Sequence, residues 1–225
     1  TVFACGMLLI VACDMSAVAK RYVRVQDMSA HYAANPVADH IRSDPVPGRL
    51  SYHLSQRVWQ HPLWSNFAYH NAVEILEPRA DRPLSGDYQE FFSALGRKTV
   101  RLWQLTNVRY IAGPVKMLQG LAGQRSFEVV GYFDTPRLRV GALRPTGGEN
   151  MLVRFSGSLP RALVYHNWES LGADETLSRL ADDAFSPGKT LLVTTNVAPV
   201  ASEKPPTAAV VKLYRRQKVV VDVNV

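Results

Sequence analysis

The chain has 225 residues, of which 47% are hydrophobic and 20% are charged. This length accommodates one well-buried domain or two small ones, and the composition excludes a chain that is disordered throughout. The formal net charge is +7, because 26 lysines and arginines outnumber 19 aspartates and glutamates. This excess favours contact with anions but identifies no fold.

The chain begins with an uncharged apolar run, Val2 to Cys13. The run is shorter than the roughly 20 residues that a helix needs to cross a bilayer, and it lacks the basic start and small-residue cleavage site of a secretory signal. Two interpretations therefore remain for residues 1–14: the end of a membrane helix, or the first buried strand of the domain. The first residue is not Met and the last lies in an apolar alternation, so we expect the protein to continue beyond 225.

The two cysteines of the chain, Cys5 and Cys13, both lie in this run. On one helix they would be two turns apart, roughly 12 Å, which is too far for a disulfide. The rest of the chain contains no cysteine, so a thiolate metal site is excluded there.

Residues 15–225 are predicted to form a single α+β domain. A short helix is predicted near 16–23 and a second over 35–42, where Asn35 precedes a proline at the first helical position. Apolar alternation predicts a strand over 49–54.

A clearer helix starts at Asp87, because Glu90 follows three residues later in a capping-box pattern. The next stretch, 98–114, predicts a short helix that leads directly into a buried strand, Val108 to Ala112, and one or two helical turns follow it.

The second half of the chain alternates between strand and helix patterns. Two strands, over 127–133 and 138–143, are predicted to pair as a hairpin. The remaining predicted elements are strands over 151–155 and 161–165, a helix over 173–185, a strand over 190–193 that forms a parallel pair with 161–165, and a hairpin of 208–214 with 218–225. This mixture predicts an α+β fold with a mixed β-sheet and several short helices.

No motif in the chain predicts a catalytic residue, a metal site or a cofactor. The six histidines never fall three or four residues apart, the spacing of helical metal ligands. A basic cluster between Lys212 and Lys218 has Tyr214 as its one aromatic neighbour, whereas nucleic-acid binding favours a broader basic surface with several stacking rings. Nucleic acid is therefore not an expected partner.

The strongest candidate for ligand binding is an irregular, aromatic stretch that ends at the helix near residue 88. Its aromatic, amide and basic side chains suit contact with a sugar or a phosphate. The alternative is a loop that packs as a lid over the core. The candidate binding residues are Trp64, Tyr69, His70, Asn71, Arg79 and Tyr88.

Several segments, taken in order, resemble the large bacterial membrane proteins of the YfhO type. The segment Leu102 to Ile111 is similar to that family's Asn-Val-Arg/Lys-Tyr signature, and Leu159 to Tyr165 is similar to its Leu-Pro-Arg-Ala strand. The helix and return strand that follow, over 175–192, and the earlier segment from Asn35-Pro36 to Gly48-Arg49 also match. The turn at 86–88 departs from the family in residue order.

The resemblance implies a multi-spanning protein of the bacterial cell membrane related to glycosyltransferases that use lipid-linked sugars. The chain would be a domain on the periplasmic or extracellular side. Its partners would be membrane helices of the parent chain and a glycan or lipid-linked sugar acceptor that the domain binds or positions. The family's catalytic acid lies in an early loop between membrane helices, so the resemblance assigns no catalytic residue here.

Two other functions remain open from the residues alone. The chain could be a structural domain that binds a protein partner and no ligand. It could also be a free-standing soluble enzyme whose first strand is formed by 2–13.

Overall fold

The computed structural model describes residues 2–22, 35–52, 73–76, 85–135, 141–195, 197–198, 202, 204–215 and 218–223. The chain divides into two compact units, Thr1–Ala33 and Ala34–Val225. The irregular aromatic stretch of 55–85 lies almost entirely outside the described residues.

The described residues of the first unit form the helix α1 (Val2–Tyr22). The interpretation of 2–13 as a buried strand is therefore wrong, and so is the separate helix near 16–23, because the helix runs on through Asp14. Its alanines, leucines and methionines are strong helix formers, and the run lacks the alternation of a half-buried strand. None of the described helices is both long enough and apolar enough to span a membrane. Both cysteines are free and exposed on α1.

The second unit is an α+β domain, as predicted, built on a four-stranded mixed sheet with the strand order β1-β2-β4-β3. β1 and β2 are parallel, whereas β2–β4 and β4–β3 are antiparallel. The strands are β1 (Arg49–Tyr52), β2 (Val108–Pro114), β3 (Phe127–Phe133) and β4 (Asn150–Phe155).

Helices lie on both faces of this sheet. α2 (Pro36–Ser43) packs with Tyr110 and Leu152 in one buried cluster. The helices α3 (Gly86–Leu95), α4 (Thr99–Leu105) and α5 (Val115–Leu118) belong to a second cluster, which includes Ile111 and Val153. Neighbouring residues of β2 and β4 thus enter different clusters, as expected when successive side chains point to opposite faces.

The stretch 98–114 folds as predicted, with α4 leading into β2 through the turn at Thr106-Asn107. The start of α2 is also confirmed, since the Asn35 side chain accepts a hydrogen bond from the backbone N–H of Ala38 at 3.1 Å. The capping box at Asp87 is wrong: Ser85 is the N-cap of α3, and its side chain makes no capping hydrogen bond.

The predicted hairpin of 127–133 with 138–143 is present in the described residues as a short antiparallel contact, one residue beyond the predicted second strand. One edge of β3 pairs with β4 along its whole length, and on the other edge an antiparallel bridge joins Tyr132 to Arg144 through two backbone hydrogen bonds. Residues 141–143 are not a strand, and 138–140 lie outside the described residues.

The remaining elements form smaller sheets. β6 (Trp168–Ser170) and β7 (Leu191–Val193) make a parallel pair joined by α6 (Ala173–Ala181). The predicted strand–helix–strand unit therefore exists, but its first strand is 168–170 rather than 161–165. The latter segment provides β5 (Leu163–Val164), which pairs with β8 (Thr207–Ala208). The terminal hairpin is confirmed as β9 (Val210–Arg215) and β10 (Lys218–Asp222).

Candidate ligand site

Five of the six predicted ligand-binding residues, Trp64, Tyr69, His70, Asn71 and Arg79, lie outside the described residues. The sixth, Tyr88, is 39% exposed on α3. Its ring contacts two rings of its own helix, Phe91 and Phe92, at centroid distances of 6.2 and 4.9 Å. The structure thus places Tyr88 in an aromatic cluster of α3, and the binding role of the other five stays a prediction.

A cavity of about 260 Å³ lies where three distant segments meet. The first segment is the start of β1, the second is the turn between α4 and β2, and the third is the stretch before β5. The hairpin β9–β10 forms the remaining wall. The lining residues are Arg49, Leu105, Thr106, Asn107, Pro160, Arg161, Ala162, Val211, Val219 and Val221.

Arg49 is held in this cavity by contacts with two other segments. Its backbone N–H donates to the carbonyl oxygen of Asn107 at 2.8 Å, where β1 begins beside β2. Its Nη1 donates to the carbonyl oxygen of Thr106 at 3.2 Å, and its Nε lies 3.4 Å from Oε2 of Glu74. These contacts fix the guanidinium group at the cavity wall.

Glu74 links the two arginines of the cavity. It lies in the short segment 73–76, which runs beside β1: the N–H of Leu50 donates to the Glu74 carbonyl oxygen at 2.8 Å. Its Oε2 also accepts a hydrogen bond from Nη2 of Arg161. Burial tends to raise the pKa of Glu74, but Arg161 and Arg49 outweigh burial and lower the pKa. Both guanidinium groups therefore contact the same carboxylate.

Asn107 contributes an unsatisfied acceptor. It is 8% exposed and adopts a positive φ of 58° in the turn between α4 and β2, a conformation that asparagine tolerates better than most residues. Its Nδ2 donates to the carbonyl oxygen of Leu159 at 2.7 Å, which fixes the orientation of the amide. Its Oδ1 is buried and has no hydrogen-bond partner in the described part of the chain.

A second polar cluster joins the end of α2 to β2. Oδ2 of Asp44 accepts from Nε of Arg109 at 2.8 Å and from the hydroxyl of Tyr110 at 2.6 Å, and Oδ1 accepts from the N–H of Val46 at 2.9 Å. Burial raises the pKa of Asp44, but these hydrogen bonds outweigh it and lower the pKa to about 2. Burial, with the bond to Asp44, raises the pKa of Tyr110 to about 12. Both carboxylate oxygens are thus satisfied, which indicates a structural ion pair.

A larger depression of about 540 Å³ runs along α6. Three of its charged lining groups are already bonded: Arg179 pairs with Glu169 and Asp182, and Glu175 accepts from the N–H of Gly172. We assign it no ligand. Within the described ranges, no group of histidine, cysteine and acidic residues is arranged to hold a metal ion.

Sequence reasoning did not select Arg49, Asn107 or Arg161 as site residues. Each nevertheless lies in one of the segments on which the family resemblance rests: Gly48-Arg49, the Asn-Val-Arg-Tyr segment and the Leu-Pro-Arg-Ala segment. The sequence therefore contained the three residues within three separate motifs, and only folding brings these motifs together at one cavity.

No protein-family model, curated protein or solved structure matches this chain. The resemblance to YfhO-type proteins stays a prediction that rests on the motifs.

Proposed function

We propose that this chain is a non-catalytic domain on the outer side of a bacterial cell membrane, part of a glycosyltransferase-related membrane protein, where it positions a glycan or a lipid-linked acceptor. The glycan element of this proposal is supported by the motif resemblance and by the aromatic composition of the stretch that ends at Tyr88. The membrane element is supported by the structure of α1.

The observation that carries the proposal is the exposure of large apolar side chains on α1. Successive residues of a helix point in different directions, and five successive residues are more than half exposed: Met7 (51%), Leu8 (70%), Leu9 (68%), Ile10 (66%) and Val11 (53%). This stretch of α1 is therefore apolar around its circumference, whereas a helix on the surface of a soluble domain has a polar face. Lipid, or neighbouring membrane helices, would cover such a segment.

Flotation with lipid vesicles tests the attachment. We expect the full chain to float with vesicles and the variant Met7→Glu to float much less, because a charge within an apolar helix costs roughly 2.5–3.5 kcal/mol near the bilayer centre. Met117 provides a matched control, since it is 55% exposed on α5 in the second unit. Equal flotation of Met7→Glu and Met117→Glu would contradict membrane attachment through α1.

The side of the membrane is tested with a single reporter cysteine. The given sequence contains no cysteine after Cys13. A triple variant with Cys5→Ser, Cys13→Ser and Ser178→Cys therefore has one thiol in this sequence, and that thiol is exposed on α6. In intact cells, we expect a membrane-impermeant maleimide to label the full-length parent protein with this variant more strongly than the same protein with Ser178 unchanged. Labelling only after the cells are opened would place the domain on the inner side.

Titration with cell-envelope glycans tests the binding role itself. We expect at least one glycan to shift the intrinsic fluorescence of the full chain. If none of the glycans shifts the fluorescence while the chain still floats with vesicles, the glycan-binding role is contradicted and the membrane attachment is not.

A second candidate function, a domain that binds a protein partner, is favoured by the hairpin β9–β10. Its valines are exposed on both strands: Val210 is 64% exposed and Val219 is 52% exposed. Exposed apolar strand residues are typical of contact surfaces. If this function holds, Val210→Lys reduces co-purification of the partner and leaves glycan binding unchanged.

A further inference from the structure

The hairpin β9–β10 forms a sheet of only two strands, and no other described strand pairs with it. A two-stranded hairpin on its own is at most marginally stable in water, and further strands stabilise it. The outer edge of such a sheet presents backbone N–H and C=O groups to which another strand can bond. All five residues of β10 are exposed, so this edge is accessible to a partner.

β10 is a regular and apolar edge strand. The irregularity of the hairpin lies in β9, because Val220 pairs with Leu213 and the next residue pairs with Val211, so that Lys212 is passed over. A bulge or a proline in the edge strand itself would obstruct pairing with another strand, and β10 contains neither. Its three central residues are exposed valines: Val219 (52%), Val220 (36%) and Val221 (40%).

The charges of β10 are complementary to those of a second β10. The strand begins with Lys218 and ends with Asp222. When two copies pair antiparallel about a two-fold axis at Val220, each Lys218 lies opposite Asp222 of the other copy. The two Val220 residues then lie opposite each other, and Val219 lies opposite Val221. Opposite charges across antiparallel strands stabilise the pairing, whereas a parallel pairing in the same register would oppose like charges.

The contacts within the hairpin are compatible with this pairing. Oδ2 of Asp222 accepts from Nζ of Lys212 at 2.6 Å, yet 48% of the aspartate side chain stays exposed, so the carboxylate can contact a second cation. The outer edge of β9 does not have the same complementarity. The charged residues of β9 are Lys212 and Arg215, so two copies of β9 would bring only cations together.

We propose that the outer edge of β10 pairs with β10 of a second copy of this chain. The two hairpins form one antiparallel four-stranded sheet in the order β9-β10-β10-β9, with the two-fold axis at Val220. Five paired residues on each side make a small interface, which is typical of transient complexes. This inference rests on the second candidate function, for which it names the partner, and it requires neither the membrane nor a glycan.

Two substitutions at Val220 test the register. In this pairing residue 220 lies opposite itself, so Val220→Lys and Val220→Glu each place two like charges face to face. We expect each variant alone to dimerise about five- to tenfold more weakly than the unaltered chain. An equimolar mixture of the two variants places lysine opposite glutamate, and we expect it to dimerise as tightly as the unaltered chain or more tightly. Sedimentation equilibrium of the full chain in density-matched detergent measures these affinities.

Val100→Lys provides the matched control, because Val100 is a 43% exposed valine on α4. We expect this variant to dimerise like the unaltered chain. An equal loss in Val100→Lys and Val220→Lys would show a general charge effect and overturn the proposal. Misfolding of the Val220 variants cannot imitate the expected result, because misfolded chains would not regain dimerisation on mixing.

Two further outcomes overturn the proposal: a mixture that dimerises no better than either variant alone, and dimerisation that neither Val220 variant changes. The second outcome is the one expected if the copies associate through α1, since that contact does not involve residue 220. Co-purification of a different protein, with no dimerisation of the chain, removes this inference and retains the second candidate function. Vesicle flotation and glycan titration test the first function separately.

Discussion

The second unit contains two polar clusters of nearly the same composition that differ in their use. Asp44 with Arg109 and Tyr110 is enclosed, and the carboxylate side chain is 7% exposed. Glu74 with Arg49 and Arg161 is open, and its carboxylate side chain is 45% exposed. In the first cluster both carboxylate oxygens accept hydrogen bonds, whereas the second lies beside a cavity. The exposure of the carboxylate and the number of hydrogen bonds that it accepts thus distinguish an enclosed structural ion pair from a half-exposed one.

The largest expected effect is loss of the enclosed carboxylate. Asp44→Ala leaves Arg109 partly buried and the Tyr110 hydroxyl without its acceptor, and breaking a buried pair from one side costs about 3–5 kcal/mol. We expect urea unfolding to show a decrease of about 3 kcal/mol, because Arg109 retains 20% exposure. The control is Asp39→Ala, which removes an exposed partner of Arg42 on α2. Equal effects of the two substitutions would contradict the structural role of Asp44.

Acid should weaken the fold through the same carboxylate. Because the pKa of Asp44 is lowered to about 2 from its usual 3.8, the folded state binds this proton less readily than the unfolded state. The stabilisation is therefore fully present above about pH 5 and is lost as the pH falls toward 2, with a magnitude on the order of 2 kcal/mol. Urea unfolding at a series of pH values measures it. In the variant Asp44→Asn, we expect this loss of stability at low pH to disappear. If the loss persists, other titrating groups cause it.

Asn107 should show a backbone effect at its positive φ. Asn107→Ala forces a residue with a Cβ into a positive φ without the tolerance of asparagine, which costs roughly 1–2 kcal/mol. Asn107→Gly removes the same amide, but glycine adopts this positive φ without strain. We therefore expect the glycine variant to lose less free energy of unfolding than the alanine variant. The difference between their free energies of unfolding reports the backbone contribution. A glycine variant less stable than the alanine variant would contradict this account.

The smallest expected effect on stability is at Glu74. Its ion pairs are half exposed, and such pairs contribute about 0–1 kcal/mol. We therefore expect Glu74→Gln to change the free energy of unfolding by less than about 1 kcal/mol, in contrast to Asp44→Ala. A loss as large as that of Asp44→Ala in the same urea experiment would show that the open cluster is also structural.

The elements that the sequence predicted best are those with strong local signals. The helix and strand over 98–114, the start of α2 and the terminal hairpin depend on apolar periodicity, a proline at a helix start and short-range alternation. The main partner of β3 was not predicted, because β3 pairs along its length with a strand that begins 17 residues after β3 ends, and local patterns carry no information about such a choice. The segment 2–13 was ambiguous between helix and strand, because an unbroken apolar run shows neither the 3.6-residue period of an amphipathic helix nor the two-residue period of a half-buried strand.

The sequence by itself determined the fold class, the main helices and strands, the excess of positive charge and the apolar character of the segment that forms α1. These follow from composition and from periodicities that each segment carries alone. The tertiary structure alone decided that Arg49, Asn107 and Arg161, which lie 58 and 54 residues apart along the chain, line one cavity. It also decided that both oxygens of the Asp44 carboxylate accept hydrogen bonds, while the Asn107 side-chain oxygen has no partner among the described residues, because hydrogen-bond satisfaction depends on which segments meet.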